Sequence, residues 1–174
     1  WDLKRIFHEI DGLYRDILKD EAGLKKTTLA SFADFLEPGD MGADLRPTLY
    51  DFVVHEALDF YMSGEQAAAQ PEDAFVIEAD SPALAPAADF LRFAPRTTDA
   101  GSPKLMALKL YQDLLRFHAF DSNRDAALDA DLHRLRGSRR RLRRPLPFGC
   151  RSSGQLLPRP LHQVLLRAGR AGHP

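Results

Sequence analysis

The chain has 174 residues, of which 44% are hydrophobic and 28% are charged, a composition typical of a globular protein with one folded domain and room for an appendage. No apolar run approaches the roughly 18–20 residues that span a bilayer, so the sequence predicts no transmembrane segment. The single cysteine, Cys150, excludes a disulfide framework, and it excludes a thiolate metal site in the rest of the chain.

Charge divides the chain near residue 136. Residues 1–136 contain 15 Lys and Arg and all 25 Asp and Glu, a net charge of −10, whereas residues 137–174 contain nine Arg and no acid. The second part also contains five Pro and five Gly, which oppose regular structure. Because the codons of Arg, Pro, Gly, Ala and Leu are rich in G and C, this composition favours a frameshifted or chimeric end over a functional basic tail. We therefore predict a folded region at 1–136 and a disordered, non-native tail at 137–174.

The first predicted element is a strongly amphipathic helix at about 1–20, which Gly23 ends or follows. Its apolar residues recur at spacings of three and four, as on one face of an α-helix. This set comprises Trp1, Leu3, Ile6, Phe7, Ile10, Leu13, Tyr14, Ile17 and Leu18. Because the pattern is already under way at the first residue, the chain is interpreted as a piece of a longer protein.

Two further helices are predicted before residue 65. Thr27 or Thr28 caps a short helix that ends at Pro38-Gly39. The next helix, at about 47–63, has Pro47 in its first turn, where a missing N–H has no cost. The apolar stripe is Leu29, Phe32, Ala33 and Leu36 in the short helix, and Leu49, Phe52, Val53, Ala57, Phe60 and Tyr61 in the long one.

The remaining elements follow a polar linker at 65–74 and a short extended segment at 75–77. Ser81-Pro82 and Ser102-Pro103 each place a hydroxyl cap before a proline and so begin a helix, the second at about 103–119. A last helix follows. The predicted stripes are Leu84, Ala87, Ala88 and Leu91, then Leu105, Leu108, Tyr111, Leu114, Leu115 and His118, and finally Ala127, Leu128, Leu132 and Leu135.

Short helices joined by short links predict an all-α fold, an array of antiparallel helices of the helical-hairpin type. Any sheet should be confined to a few residues near 75–79. We expect one common core, which includes Phe7, Ile10, Tyr14, Phe52, Phe60, Leu108 and Leu115.

Two histidine patterns resemble the start of a zinc-protease helix, in which a second His follows the first by four residues. That position is Asp59 after His55-Glu56 and Gly12 after His8-Glu9, so the pair of imidazoles is incomplete in both. His55 is interpreted instead as a polar residue at the border of the apolar stripe.

Asp121, Asn123 and Asp125 match the opening of a calcium loop, in which oxygens at positions one, three and five surround the cation. The remainder does not match, because Ala126 replaces the glycine of the sharp turn and Leu132 replaces the bidentate Glu. A polar loop with a helix cap is the better interpretation.

Other patterns of site chemistry are also missing. There is no glycine-rich phosphate loop and no Gly-x-Ser-x-Gly elbow. The arginines at 139–141 and 143–144 could bind phosphate backbones by charge, but no aromatic residues are interleaved with them. We predict no catalytic, cofactor-binding or metal-binding residue, no cofactor, no specific nucleic-acid partner, and a chain that is not an enzyme.

Four blocks of the chain resemble the helical N-terminal region of very large bacterial alpha-2-macroglobulin-like proteins, and they occur in the expected order. The blocks are WDLKRIFHEIDGLYRDIL at 1–18, RPTLYDFVVHEALDFY at 46–61, ADSPALAPAADFL at 79–91 and SPKLMALKLYQDLLRFHAFDSNRDAALDADLHRLR at 102–136. The resemblance stops at Gly137, which agrees with a foreign tail.

The resemblance implies a cell-envelope or periplasmic parent that is related to protease-trapping inhibitors, with β-sandwich domains after this region. The chain lacks the thioester motif of many members, so no functional residue of the family can be carried onto it. It would serve as a scaffold or docking segment whose partners are the other domains of the parent and, through the parent, proteases. The alternatives are a free-standing helical-repeat interaction module and a small nucleic-acid-binding protein that uses the Arg-rich tail.

Overall fold

The computed structural model describes residues 2–36, 45–63 and 74–142, the last five of these by their backbone alone. Within these ranges the protein consists of α-helices, 3₁₀ turns and loops without a strand, and the predicted all-α fold is confirmed. The described helices are α1 Leu3–Ile17, α2 Glu21–Lys26, α3 Leu49–Met62, α4 Ala87–Phe90, α5 Pro103–Phe117 and α6 Asp125–Leu142. None of them combines the length and the apolar character that crossing a bilayer requires.

The first helix was predicted to extend to about residue 20, but α1 is shorter and a second helix, α2, begins at Glu21. Helix α1 ends at Ile17 and a 3₁₀ turn covers Leu18–Asp20. The carboxylate of Asp20 then accepts a hydrogen bond from the N–H of Gly23 over 3.1 Å. This capping contact places Gly23 inside α2 rather than at the end of α1.

The short helix predicted after Thr28 is a single 3₁₀ turn at Leu29–Phe32. The Thr28 hydroxyl lies 2.9 Å from the hydroxyl of Ser31, so it caps no backbone N–H. A β-bridge between Thr28 and Thr48 ties this turn to the start of α3. The predicted stop at Pro38-Gly39 lies outside the described residues.

Helix α3 begins at Leu49, two residues after the proline that was predicted to lie in its first turn. The reason is a capping box. The Thr48 hydroxyl accepts from the N–H of Asp51, and the Asp51 carboxylate accepts from the N–H of Thr48. Pro47 therefore precedes the cap.

The helix predicted from Ser81-Pro82 through Leu91 is broken in two. A 3₁₀ turn covers Pro82–Leu84 and α4 covers only Ala87–Phe90. Pro86 forces the preceding Ala85 into an extended conformation with a ψ of 165°, and this ends the turn. The extended segment predicted at 75–77 is an unpaired loop, in which the N–H of Phe75 donates to Asp99.

Helix α5 is the centre of the fold, and α3 and α6 pack against it. Its predicted stripe is confirmed in full, because all six of its residues are buried. Tyr50 near the start of α3 meets Phe117 at the end of α5 with ring centroids 5.4 Å apart, so these two helices run in opposite directions. The link from His118 to Asp125 is short, and α6 returns along α5 as in an antiparallel helical bundle.

The predicted common core is correct for some residues and wrong for others. Leu108 and Leu115 are buried in it, and Tyr14 and Phe60 pack against it while partly exposed. Phe7, Ile10 and Phe52 are only half-buried and lie outside this cluster. The buried face of α3 is formed by Tyr50, Val54, Ala57, Leu58 and Tyr61, so only Ala57 and Tyr61 of its predicted stripe are fully buried.

The inward face of α6 was predicted correctly only in part, because Ala127 is buried and Leu135 is half-buried. Leu128 and Leu132 are exposed, whereas Ala130 and Arg134 are fully buried. The small Ala130 allows close packing, and Arg134 satisfies its charge inside the fold, as described below. Helix α6 continues through the predicted boundary at Gly137 to Leu142. The rest of the predicted tail, from 143 to 174 and including Cys150, lies outside the described residues.

Candidate functional site

The residues that resembled a zinc-protease helix are held by the fold itself. His55 is buried rather than at the border of the stripe, and its Nδ1 lies 2.8 Å from the backbone oxygen of Asp51. Glu56, next in sequence, is exposed. His8 and Glu9 are both exposed on α1. Neither pattern places two imidazoles around one point.

The residues that resembled a calcium loop make other contacts. A carboxylate oxygen of Asp121 lies 2.7 Å from Nδ1 of His118. The side-chain oxygen of Asn123 accepts a hydrogen bond from the N–H of Asp125 over 2.9 Å. The second contact is an Asx turn that immediately precedes α6. Across the described part of the chain, no group of three or more His, Cys, Asp or Glu could hold a metal ion.

A buried charge pair joins α3 to the end of α5. His118 Nε2 lies 2.6 Å from Asp51 Oδ1, and both side chains are 1% exposed. Burial by itself lowers the pKa of His118, but the hydrogen bonds to Asp51 and Asp121 outweigh it and raise the pKa above its ordinary value. Burial alone would raise the pKa of Asp51, yet its bonds with His118 and Thr48 hold the pKa below its ordinary value. Both ring nitrogens of a charged His118 thus donate to carboxylates.

A second polar layer lies between α3 and α6. His55 Nε2 is 3.4 Å from Asp129 Oδ2, and one turn further along both helices His133 Nε2 is 3.1 Å from Asp59 Oδ1. These two contacts show that α3 and α6 run in the same direction. Burial, together with the nearby charge of Arg46, lowers the pKa of His55, so this imidazole is neutral at pH 7.

Arg134 is one of several buried polar residues that the sequence pattern does not predict, together with Asp51 and Gln112. Its guanidinium donates to the backbone oxygens of Ala83 and Ala85 and to the carboxylate of Asp131, and it lies 4.3 Å from the ring centre of Phe90. These contacts hold the segment at 82–90, which contains the 3₁₀ turn and α4, against α6. An arginine four residues after Ala130 on the inward face could have indicated this, but Arg is seldom fully buried.

The polar clusters therefore offer little for catalysis. His118, Asp51 and Arg134 are each engaged in internal hydrogen bonds, and each is at most 1% exposed. An open surface groove near Phe75 and Arg96 has no carboxylate, imidazole or thiol among the described residues that line it. These observations direct attention to the surface rather than to the interior.

Helix α1 packs on α3 through one narrow face. Tyr14 lies 5.6 Å from Phe60 and Phe7 lies 5.9 Å from the same ring, measured between ring centroids. The Tyr61 hydroxyl donates to Asp11 over 2.7 Å. None of the residues of α1 is fully buried, so most of this helix faces away from the core.

A second apolar face of α1 is exposed. Leu3 is 54% exposed, Ile6 37%, Leu13 63% and Ile17 46%, and Ile10 in the same row is half-buried. We call these five residues the α1 stripe. Their spacings of 3, 4, 3 and 4 are those of the seam positions of a coiled coil over two heptads.

The two edges of the α1 stripe differ in chemistry. On one side lie Phe7 and Tyr14, which contact α3. On the other side Asp2, Glu9 and Asp16 recur every seven residues and form an acidic row. Glu9 and Asp16 pair with Arg5 and Lys19 at 3.9 Å and 2.6 Å, and all four side chains are more than half exposed.

The chain matches no protein-family model, no curated protein and no solved structure. The resemblance to alpha-2-macroglobulin-like proteins therefore stays a prediction.

Proposed function

We propose that this chain is a non-catalytic helical docking segment, which binds another polypeptide through the α1 stripe. The observation that supports this is the exposure of four large aliphatic side chains in one row on a helix that is otherwise anchored to the fold. Isolated exposed apolar residues are ordinary, but a contiguous row is typical of an interaction surface. Burial of a fully exposed aliphatic side chain contributes about 1.5–3 kcal/mol, and each of these four, at 37–63% exposure, would contribute a corresponding fraction when a partner covers it.

The non-catalytic part of the proposal rests on the use of the polar residues. His118 is buried and bonded through both ring nitrogens, and His55 is buried with its Nδ1 bonded to the backbone of Asp51, although its Nε2 has no hydrogen-bond partner among the described residues. Contacts of Asp121 and Asn123 support the loop before α6. A general base needs access to the proton that it removes. These residues are better suited to holding helices together than to acting on a substrate.

The sequence resemblance extends the proposal to the whole protein. In that case the parent is an alpha-2-macroglobulin-like protein of the cell envelope, and the stripe on α1 binds a second protein that docks on this parent. A free-standing interaction module would use the same surface, so the docking proposal does not depend on which parent is correct.

Site-specific photo-crosslinking tests the docking proposal. A photo-reactive residue replaces Leu13 in the full-length protein as it is expressed in cells, and the matched control places it at His8, which is exposed on the opposite side of α1. We expect crosslinks from position 13 to map to one defined polypeptide segment and to disappear with Ile17→Glu. The same yield and the same products from position 8 would overturn the proposal.

A further inference from the structure

We infer that the occupant of the α1 stripe is an amphipathic helix from another polypeptide that carries lysine or arginine along the flank facing Asp2, Glu9 and Asp16. This inference rests on the docking function proposed above and adds the chemistry of the partner. Three features of the surface support it: the spacing of the stripe, the acidic row at its edge and the position of α3.

The spacing of the stripe selects a helix as the partner. A row of apolar residues at 3, 4, 3 and 4 matches the knobs-into-holes packing of a second helix with the same repeat. Helix α1 spans 15 residues, about 22 Å, which accommodates roughly two heptads of the partner. An extended strand would instead require residues of alternating character and an open sheet edge.

The acidic row determines the charge of the partner. In a two-helix contact the positions beside the seam face each other across it, and opposite charges there set partner choice and orientation. Glu9 and Asp16 already pair with Arg5 and Lys19, but these are exposed pairs that contribute only about 0–1 kcal/mol. Each carboxylate can accept more than one donor, so a basic side chain of the partner can join or replace those contacts.

A second copy of this chain fits the stripe poorly. If two α1 helices met in antiparallel orientation, the acidic rows would face each other and repel. If they met in parallel orientation, each acidic row would face the Phe7 and Tyr14 edge, where aromatic rings pack on α3 and offer no positive charge. A partner with a basic flank meets neither difficulty.

The experiment uses two helical peptides of 18 residues as probes, with the folded full chain as the receptor. Both have leucine at the two seam positions of each heptad and are held helical by a chemical staple on the far side. One has lysine at the positions beside the seam and the other has glutamate. Fluorescence anisotropy should show binding of the lysine peptide at least tenfold tighter at low salt, with the difference narrowing at 0.5 M NaCl, where screening is strong.

Charge reversal provides the decisive comparison. The variant Glu9→Lys with Asp16→Lys should reverse the preference between the two peptides. The matched control, Asp89→Lys with Asp113→Lys, changes the net charge equally at two exposed acids that pair with Arg92 and Arg116 elsewhere on the surface. This control should retain the preference for the lysine peptide. A control that reverses it as well would show a net-charge effect and would overturn the inference.

The remaining outcomes separate the inference from the proposed function. If both peptides bound equally and Leu13→Ser weakened both, the α1 stripe would still be a docking surface. The inference that its partner carries a basic flank would be wrong. Failure of both peptides to bind would count against the α1 stripe as a docking surface and thus against the proposed function. Sedimentation that shows a concentration-dependent dimer, abolished by Leu13→Ser, would assign the stripe to a second copy and overturn the inference. Circular dichroism of each variant verifies that the helices are retained.

Discussion

His118 and Asp51 lie 67 residues apart in the chain, yet they meet over 2.6 Å between the C-terminal end of α5 and the first turn of α3. Both are 1% exposed. Asp51 also completes the capping box of α3 with Thr48, so one carboxylate starts a helix and anchors it to its neighbour. Because a buried charge without its partner is costly, this pair is expected to control how α3 and α5 fit together.

Breaking this pair should destabilise the fold strongly. We expect His118→Gln or Asp51→Asn to lower the free energy of unfolding by about 3–5 kcal/mol, since either leaves a buried polar group without its charged partner. A double-mutant cycle should give a coupling energy above about 1 kcal/mol. The matched control is the cycle of Asp113→Asn and Arg116→Gln, an ion pair that is half-exposed and should couple by less than about 1 kcal/mol. Equal coupling in the two cycles would contradict the proposed role of burial.

The same pair predicts how stability depends on pH. The raised pKa of His118 adds stability that is complete below about pH 6.5 and is lost as the pH rises through the folded-state value. The lowered pKa of Asp51 adds stability that is present above about pH 4 and is lost as the pH falls through its folded-state value. His55, whose pKa is lowered, acts in the opposite sense and reduces stability below about pH 6.5.

Urea unfolding between pH 3 and pH 9 tests this assignment. The difference in unfolding free energy between the wild type and His118→Gln should be largest between about pH 4 and 6.5 and should shrink on both sides. His55→Gln provides the comparison. The wild type loses unfolding free energy at acid pH because the buried His55 resists protonation, and this loss should be absent in His55→Gln. A difference for His118→Gln that stays constant over the whole range would show that its charge is not involved.

The sequence predicted the long helices and the interior of α5 well, and it failed where contacts between distant residues decide the outcome. The stripe of α5 is both periodic and buried, so spacing alone was sufficient. In α3 and α6 the inward face includes His55 and Arg134, which no hydrophobic pattern selects because their burial depends on partners in other elements. The residues of the α1 stripe were recognised as apolar, and one of them, Ile10, was assigned to the core, because spacing does not distinguish a core face from an exposed apolar face.

The inward face of α3 can be tested by substitutions at two sites. Leu58 is fully buried, and Leu58→Ala should lower the free energy of unfolding by about 2–5 kcal/mol. Phe52, once expected in the core, is half-buried and lies outside the core cluster, so Phe52→Ala should lower it by less than Leu58→Ala does. Chemical denaturation of the two variants measures both values. A larger effect at Phe52 would mean that α3 is rotated relative to this structure.

The last prediction concerns Arg134, which is 0% exposed and bonds the backbone oxygens of Ala83 and Ala85. We expect Arg134→Ala to lower the free energy of unfolding by roughly 2–5 kcal/mol, because it leaves buried carbonyl groups without a donor and removes the contact with Phe90. Arg134→Lys should restore little of this loss, since an ammonium cannot reach several acceptors with the planar geometry of a guanidinium. The matched control is Arg136→Ala on the same helix, which is exposed and should change stability by less than about 0.5 kcal/mol.

Hydrogen exchange distinguishes a local effect of Arg134 from a global one. In the Arg134→Ala variant the amides that close the turns at 82–90, such as those of Leu84 and Phe90, should lose protection more than the amides of α5. That pattern would show that the guanidinium holds the segment at 82–90 against α6, while α5 retains its packing with α3. If protection fell evenly across all helices, Arg134 would support the whole bundle instead, and the assignment of a local fastening role would be wrong.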